Sequence, residues 1–175
     1  MDKDWEGIKK LAVEYAGDNI KNRGMNCAES VFEALIRCGA VNAPLEAVAY
    51  VTGFGGGGGG AGLTCGALAS AILATSMAHG RKDPSSSTDR MELKEKYYQR
   101  YNNLVSGFVK TAGSGLCRDI VNGFPEGYTD SHTRPNCIRI AIRAAELAVD
   151  YIRLDTEEAG ALEYDRDVVG INNWL

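Results

Sequence analysis

Five cysteines, at positions 27, 38, 65, 117 and 137, carry the most chemistry in this 175-residue chain. A thiolate is a nucleophile and a soft metal ligand, so such a set offers disulfide exchange, a metal centre, or plain packing. Cys27, Cys65, Cys117 and Cys137 each stand at or near the start of an expected helix. Unpaired amides and the positive end of the helix dipole favour a thiolate there, and can lower its pKa from about 8.5 into the range of roughly 3.5 to 7.5. Cys38 differs, because it falls at a helix C-terminal end beside Gly39, where the dipole opposes a thiolate; it is assigned to packing. The bland alternative is that all five are small buried apolar residues, as free cysteines often are. The four helix-start cysteines lie 38, 52 and 20 residues apart, and no Cys-x-x-Cys occurs. Local pairs are the usual sign of zinc, of an iron–sulfur cluster or of attached haem, so a metal here requires distant thiolates to converge within a bundle. His79 and His132 stand beside loop residues and read as surface.

The second informative feature is the run of six glycines, Gly55 to Gly60, which leads through Gly62-Leu63-Thr64 to Cys65. Glycine loses the most conformational freedom on folding, so such a run belongs where backbone must approach something closely. Gly55, Gly56, Gly57 and, after the cysteine, Gly66 are therefore the expected backbone contacts to a bound group. The run is also expected to leave Cys65 the most accessible thiol, and so the attacking one. Gly55, Gly57 and Gly60 satisfy a G-x-G-x-x-G pattern trivially, but a dinucleotide site needs a preceding strand and an acid about 20 residues on. Asp83 lies 23 residues beyond Gly60 in a Pro-Ser loop, and no Gly-Lys-Ser/Thr follows the run, so neither nucleotide loop is present.

The elements that position these residues read as helices. Ile8, Leu11, Ala12 and Tyr15 share one face of a helix over residues 5–21. Asn26, with Glu29 three residues on, forms a capping signal for a helix carrying Val31, Phe32, Leu35 and Ile36 and ending at Gly39. Pro44 starts a short helix reaching Val51, and residues 64–79, apolar nearly all round, form a central buried helix. Thr88 or Asp89 caps a long helix that breaks at Gly113-Ser114-Gly115, with one or two turns following over Leu116 to Val121. Pro135 starts a last long helix, whose Ile138, Ala141, Ile142, Ala145, Ala148, Val149 and Ile152 trace a seam. The only strand-like stretch is Ala47 to Thr52, too little for a sheet. The fold class is thus all-α: a single-domain multi-helix bundle with a glycine-rich loop leading into a buried central helix. Residues 1–154 form the helical domain, and 155–175 an acidic C-terminal extension ending in Asn173-Trp174-Leu175.

Composition narrows the function class. A net charge of −4 gives no basic footprint for nucleic acid. The longest weakly polar run, Leu63 to Ala78, is too short for a membrane span, and the charged N-terminus lacks a signal core. An odd number of cysteines without such a signal points to reduced thiols in the cytoplasm. The alanine-rich seam and Trp174 suggest a homodimer.

Cys27, Gly53-Phe54-Gly55-Gly56-Gly57, Cys65-Gly66-Ala67, Cys117 and Cys137, in that order, resemble a family of redox-active proteins from bacteria and archaea. That family carries four cysteines and a Cys-Gly-Ala-x-x-Gly motif (C_GCAxxG_C_C type), and the resemblance covers roughly residues 20 to 152. It implies a helical fold and a redox-active or metal-binding set comprising Cys27, Cys65, Cys117 and Cys137. Because related domains occur in redox proteins of anaerobes, it admits an iron–sulfur cluster or other metal as cofactor. The motif's final glycine is Ser70 here, and Cys38 is additional. The leading reading is a cysteine-based redox protein serving an unknown redox partner, by thiol–disulfide or electron-transfer chemistry. The alternative is a helical binding or assembly module in which the cysteines are structural.

Overall fold

The computed structural model describes residues 3–86, 90–124 and 130–168, and within them the chain is helical with one isolated bridge, Thr64 with Leu116. The first helix, α1 (Trp5–Arg23), opens on Asp4, whose carboxylate accepts from the Gly7 amide, and stops at Gly24 in the left-handed region. Helix α2 (Cys27–Arg37) opens on the expected box, the Asn26 side chain accepting from Ala28 and Glu29 while Glu29 accepts from the Asn26 amide. Cys38 caps its far end and is buried, as its assignment to packing requires.

The stretch that suggested a strand is instead two 3₁₀ segments, Leu45–Tyr50 and Thr52–Phe54. Pro44 stands just before the first as its cap, not within it. These segments lie against the start of α2, where Thr52 donates to Glu29 and Asn26 donates to the Thr52 carbonyl. With its edges occupied by these side chains and its length so short, the segment has no partner strand to pair with. One irregular turn follows, α3 (Gly55–Gly58), and then α4 (Gly66–His79). Gly66, Ala67, Leu68, Ser70, Ala71, Ala74 and Thr75 of α4 are buried, and its small residues let α2 and α8 approach closely.

The next helical stretch is one rod in three parts: α5 (Arg90–Leu93), a π turn over Lys94–Tyr98, and α6 (Gln99–Ala112). The expected caps Thr88 and Asp89 fall on or beside residues 87–89, which lie outside the described residues. Helix α7 (Cys117–Asn122) follows the glycine break. Helix α8 (Asp130–Ile152) begins five residues earlier than expected and runs through Pro135. The proline forfeits one ladder bond near one end of a 23-residue helix, and the packed seam beyond it holds the rest.

Helix α8 is the hub, packing on α1, α2, α4 and α6 around Val31, Phe32, Leu35, Leu104, Phe108 and Val149. The seam alanines Ala141, Ala145 and Ala148 are wholly buried within this one chain, and Trp174 lies outside the described residues. A short α9 (Thr156–Gly160) and the residues to 168 lie along α6, where Asn102 exchanges hydrogen bonds with the Asp165 backbone and Ser106 donates to its carboxylate. No helix among the described residues is long and apolar enough to cross a membrane.

Candidate functional site

The four cysteines of the motif are not equivalent. Cys27 is the first residue of α2 and half-buried, and Cys65 caps α4 and is only 5% exposed. Cys117 is the first residue of α7 and half-buried. Cys137 was expected at a helix start, but with α8 beginning at Asp130 it lies two turns inside the helix, away from the amides of the first turn.

Cys27 and Cys65 form a hydrogen-bonded pair that joins the starts of α2 and α4. The Cys65 thiol stabilises the Cys27 sulfur as an anion, against the cost of burial, and the amides of Gly56, Ala67 and Ala28 add to this; together they bring its pKa down to about 6. Cys65 is pushed the other way, by that same hydrogen bond, then by burial and the charge of Cys27. The pair is therefore a thiolate accepting from a neutral thiol. Cys65 is not the most accessible thiol that the glycine run was expected to make it: it is 5% exposed, while Cys27, Cys117 and Cys137 are half-buried.

The glycines explain how the chain reaches this geometry. A Cβ on Gly66 would lie 2.6 Å from the Phe54 carbonyl oxygen and 2.9 Å from the Cys27 sulfur. Only a residue without one lets α4 start against Cys27. Gly57 has φ +73°, and its Cβ would stand 2.7 Å from the Cys117 Cβ and from the Leu63 amide. Gly62 and Leu63 donate back to the carbonyls of Gly56 and Gly57, closing the loop on itself. Two strand-like pairings tie its exit to the chain before α7, since Cys65 donates to Gly115 (2.8 Å) and Cys117 to Leu63 (2.6 Å). The loop thus gathers Cys27, Cys65 and Cys117 from three separate helices. Gly56 and Gly66 touch sulfur, Gly57 touches the Cys117 Cβ, and Gly55 lies against the Asn26 side chain.

Cys117 and Cys137 are neutral thiols. Burial raises both, helped by the charge of Cys27, and Cys137 is pushed up to about 11 with a further contribution from Cys117. Among the described residues, no group of three or more His, Cys, Asp or Glu side chains is placed to hold a metal ion. An iron–sulfur or zinc centre requires such a group, and among the described residues the four sulfurs do not supply one. The donor set does not fit such a group. His79, expected at the surface, is half-buried and bonded to the Ile152 carbonyl (2.7 Å). Of His132, the side chain lies outside what is described.

Sequence reasoning missed the amides of Gly56, Ala28 and Ala67 as thiolate donors, although two of them follow directly from a cysteine standing at a helix start. It also missed that Cys27 and Cys65 meet, because 38 residues of separation hide a contact made by two helix starts. In comparison with known proteins, the family described as "Putative redox-active protein (C_GCAxxG_C_C)" matches residues 25–151. No curated protein and no solved structure matches the chain.

Proposed function

With the chain belonging to the C_GCAxxG_C_C family, we propose that its redox chemistry is thiol–disulfide exchange, with Cys27 as the attacking thiolate and Cys65 as the resolving thiol. The single observation that carries this is the asymmetric pair: one sulfur ionised near neutral pH, its partner protonated and buried in contact with it.

The Cys27 thiolate attacks one sulfur of a substrate disulfide, forming a mixed disulfide and expelling the other substrate sulfur as a thiolate, which takes a proton from water. Once Cys27 is bonded, its charge is gone, and with it the main influences holding Cys65 protonated. Cys65 then loses its proton, attacks the Cys27 sulfur and expels the second substrate thiolate. The substrate disulfide is reduced to two thiols, and Cys27 and Cys65 are oxidised to one disulfide. A dithiol reductant of the cell returns the pair by the same exchange in reverse. We assign Cys117, held against Gly57, to a later exchange, and Cys137, pushed up to about 11 by burial, is poorly suited to attack.

The test uses the aromatic disulfide 5,5′-dithiobis(2-nitrobenzoate) on the reduced chain. The intact protein releases two aromatic thiolates in its fast phase and forms an internal disulfide. Cys65→Ser releases one and retains the mixed disulfide by mass, and Cys27→Ser loses the fast phase. A fast phase that survives Cys27→Ser overturns the assignment.

A further inference from the structure

We propose a second site, independent of the thiols: a basic cleft at the far end of α4 that binds a small organic phosphate bearing a planar ring. The cleft has a volume of about 430 Å³, within the roughly 300–1,000 Å³ of small-molecule pockets and larger than a lone phosphate needs. His79, Arg81 and Lys82 line it from the end of α4 and the turn beyond, and Lys96 and Arg100 from the π turn and α6. Asp83 is the one acidic side chain among the described lining residues. Glu92 holds Lys96 at 2.7 Å, and Asp155 and Glu158 act on Arg100 from further off. The lining is cationic even so, in a chain whose net charge is −4.

Basic residues after a helix are often no more than complements to its dipole. That account covers His79 and Arg81 but not Lys96, which comes from another helix. Arg100 is the stronger observation. It is only 3% exposed, and it donates to the carbonyls of Tyr151, Leu154 (2.8 Å) and Asp155 (2.9 Å), all neutral acceptors. Among the described residues no carboxylate lies within ion-pair distance of it. A guanidinium has five N–H donors, and three are used. A buried cation with no counter-charge in contact is costly, and a phosphate in the cleft supplies both a close charge and the remaining acceptors. The Tyr97 ring on the same wall gives a flat apolar surface for a planar ring to stack on.

Helix α4 has 14 residues and spans about 20 Å, so the cleft and the Cys27–Cys65 pair lie at opposite ends of it. Binding in the cleft therefore does not depend on thiol chemistry. The probes are AMP and inorganic pyrophosphate, titrated calorimetrically into the full chain at physiological salt. Both are expected to saturate with Kd below about 1 mM. The double change Lys82→Gln, Lys96→Gln at two exposed positions is expected to weaken both by about tenfold or more. Tyr97→Leu is expected to weaken AMP and spare pyrophosphate. Cys27→Ser is expected to change neither, which separates failure here from failure of the thiol assignment. In the unaltered protein, AMP is expected to protect Lys82 and Lys96 from acylation while Lys21 on α1 stays reactive. Absence of saturation, or a lysine protection pattern unchanged by AMP, overturns the site.

Discussion

At the scale of single residues, the chemistry is set by which sulfur keeps its proton. Cys27 gains its acidity first from the Cys65 thiol and then from backbone amides, against burial. The rate of alkylation of Cys27 by iodoacetamide is therefore expected to rise with a midpoint near pH 6, as about 6 is its pKa here. Cys65→Ala removes the largest contribution, and the midpoint is expected to move up toward the ordinary cysteine value of about 8.5. A midpoint unmoved by that change would mean the amides alone hold the charge. The sign for stability follows: the folded pKa lies below the unfolded one, so the reduced protein gains from Cys27 above about pH 8.5 and loses that gain as pH falls toward 6. His79 behaves similarly for another reason. Burial, with Arg100 adding to it, depresses its pKa, so its contribution is present above about pH 6.5 and fades on acidification.

At the scale of elements, the glycine loop and the two helix starts form one unit. Gly66→Ala places a Cβ against the Phe54 carbonyl and the Cys27 sulfur at once, and is expected to cost about 2–3 kcal/mol in urea unfolding and to raise the Cys27 midpoint. Gly56→Ala separates backbone strain from crowding, since φ is +62° but nothing lies within 4 Å of the added carbon. It is expected to cost about 1–2 kcal/mol and to leave the midpoint alone, because the Gly56 amide stays in place. Between α1 and α2, the wholly buried Asn19 donates to Glu33 (2.6 Å), which also pairs with Arg23. Glu33→Ala leaves one of the two Asn19 amide hydrogens unpaired, the other still donating to the Ser30 carbonyl (3.1 Å), and is expected to cost about 1–2 kcal/mol. The helices themselves were legible: Asn26 with Glu29 marked the start of α2, and the apolar seam of α8 marked its buried face. What the sequence hid was long-range. Nothing local shows that residues 27 and 65 touch, that Cys137 sits inside a helix begun upstream of Pro135, or that the thiol at the exit of a glycine run is buried. The basic cleft was equally hidden, because its cations come from segments that read separately as solvated helix ends.

At the scale of the whole molecule, α8 gathers every long helix, and Arg100 ties the end of α8 to the stretch leading into α9. The proposed disulfide adds a second tie, between the starts of α2 and α4. Closing 38 residues of chain is worth about 4 kcal/mol in loop entropy, so the oxidised protein is expected to melt higher than the reduced one by roughly 10 °C. Scanning calorimetry of the two forms checks this, and equal melting temperatures would place the disulfide elsewhere. For the proposed Cys27–Cys65 couple, the same separation along the chain bears on its potential. Whatever stabilises the disulfide makes it harder to reduce, and about 4 kcal/mol corresponds to roughly 80 mV in the negative direction for a two-electron couple. The acidity of Cys27 pulls the other way, by about 30 mV at pH 7. Connectivity outweighs acidity, and the couple is accordingly poised as a donor of electrons to its substrate disulfides more than as an oxidant of thiols.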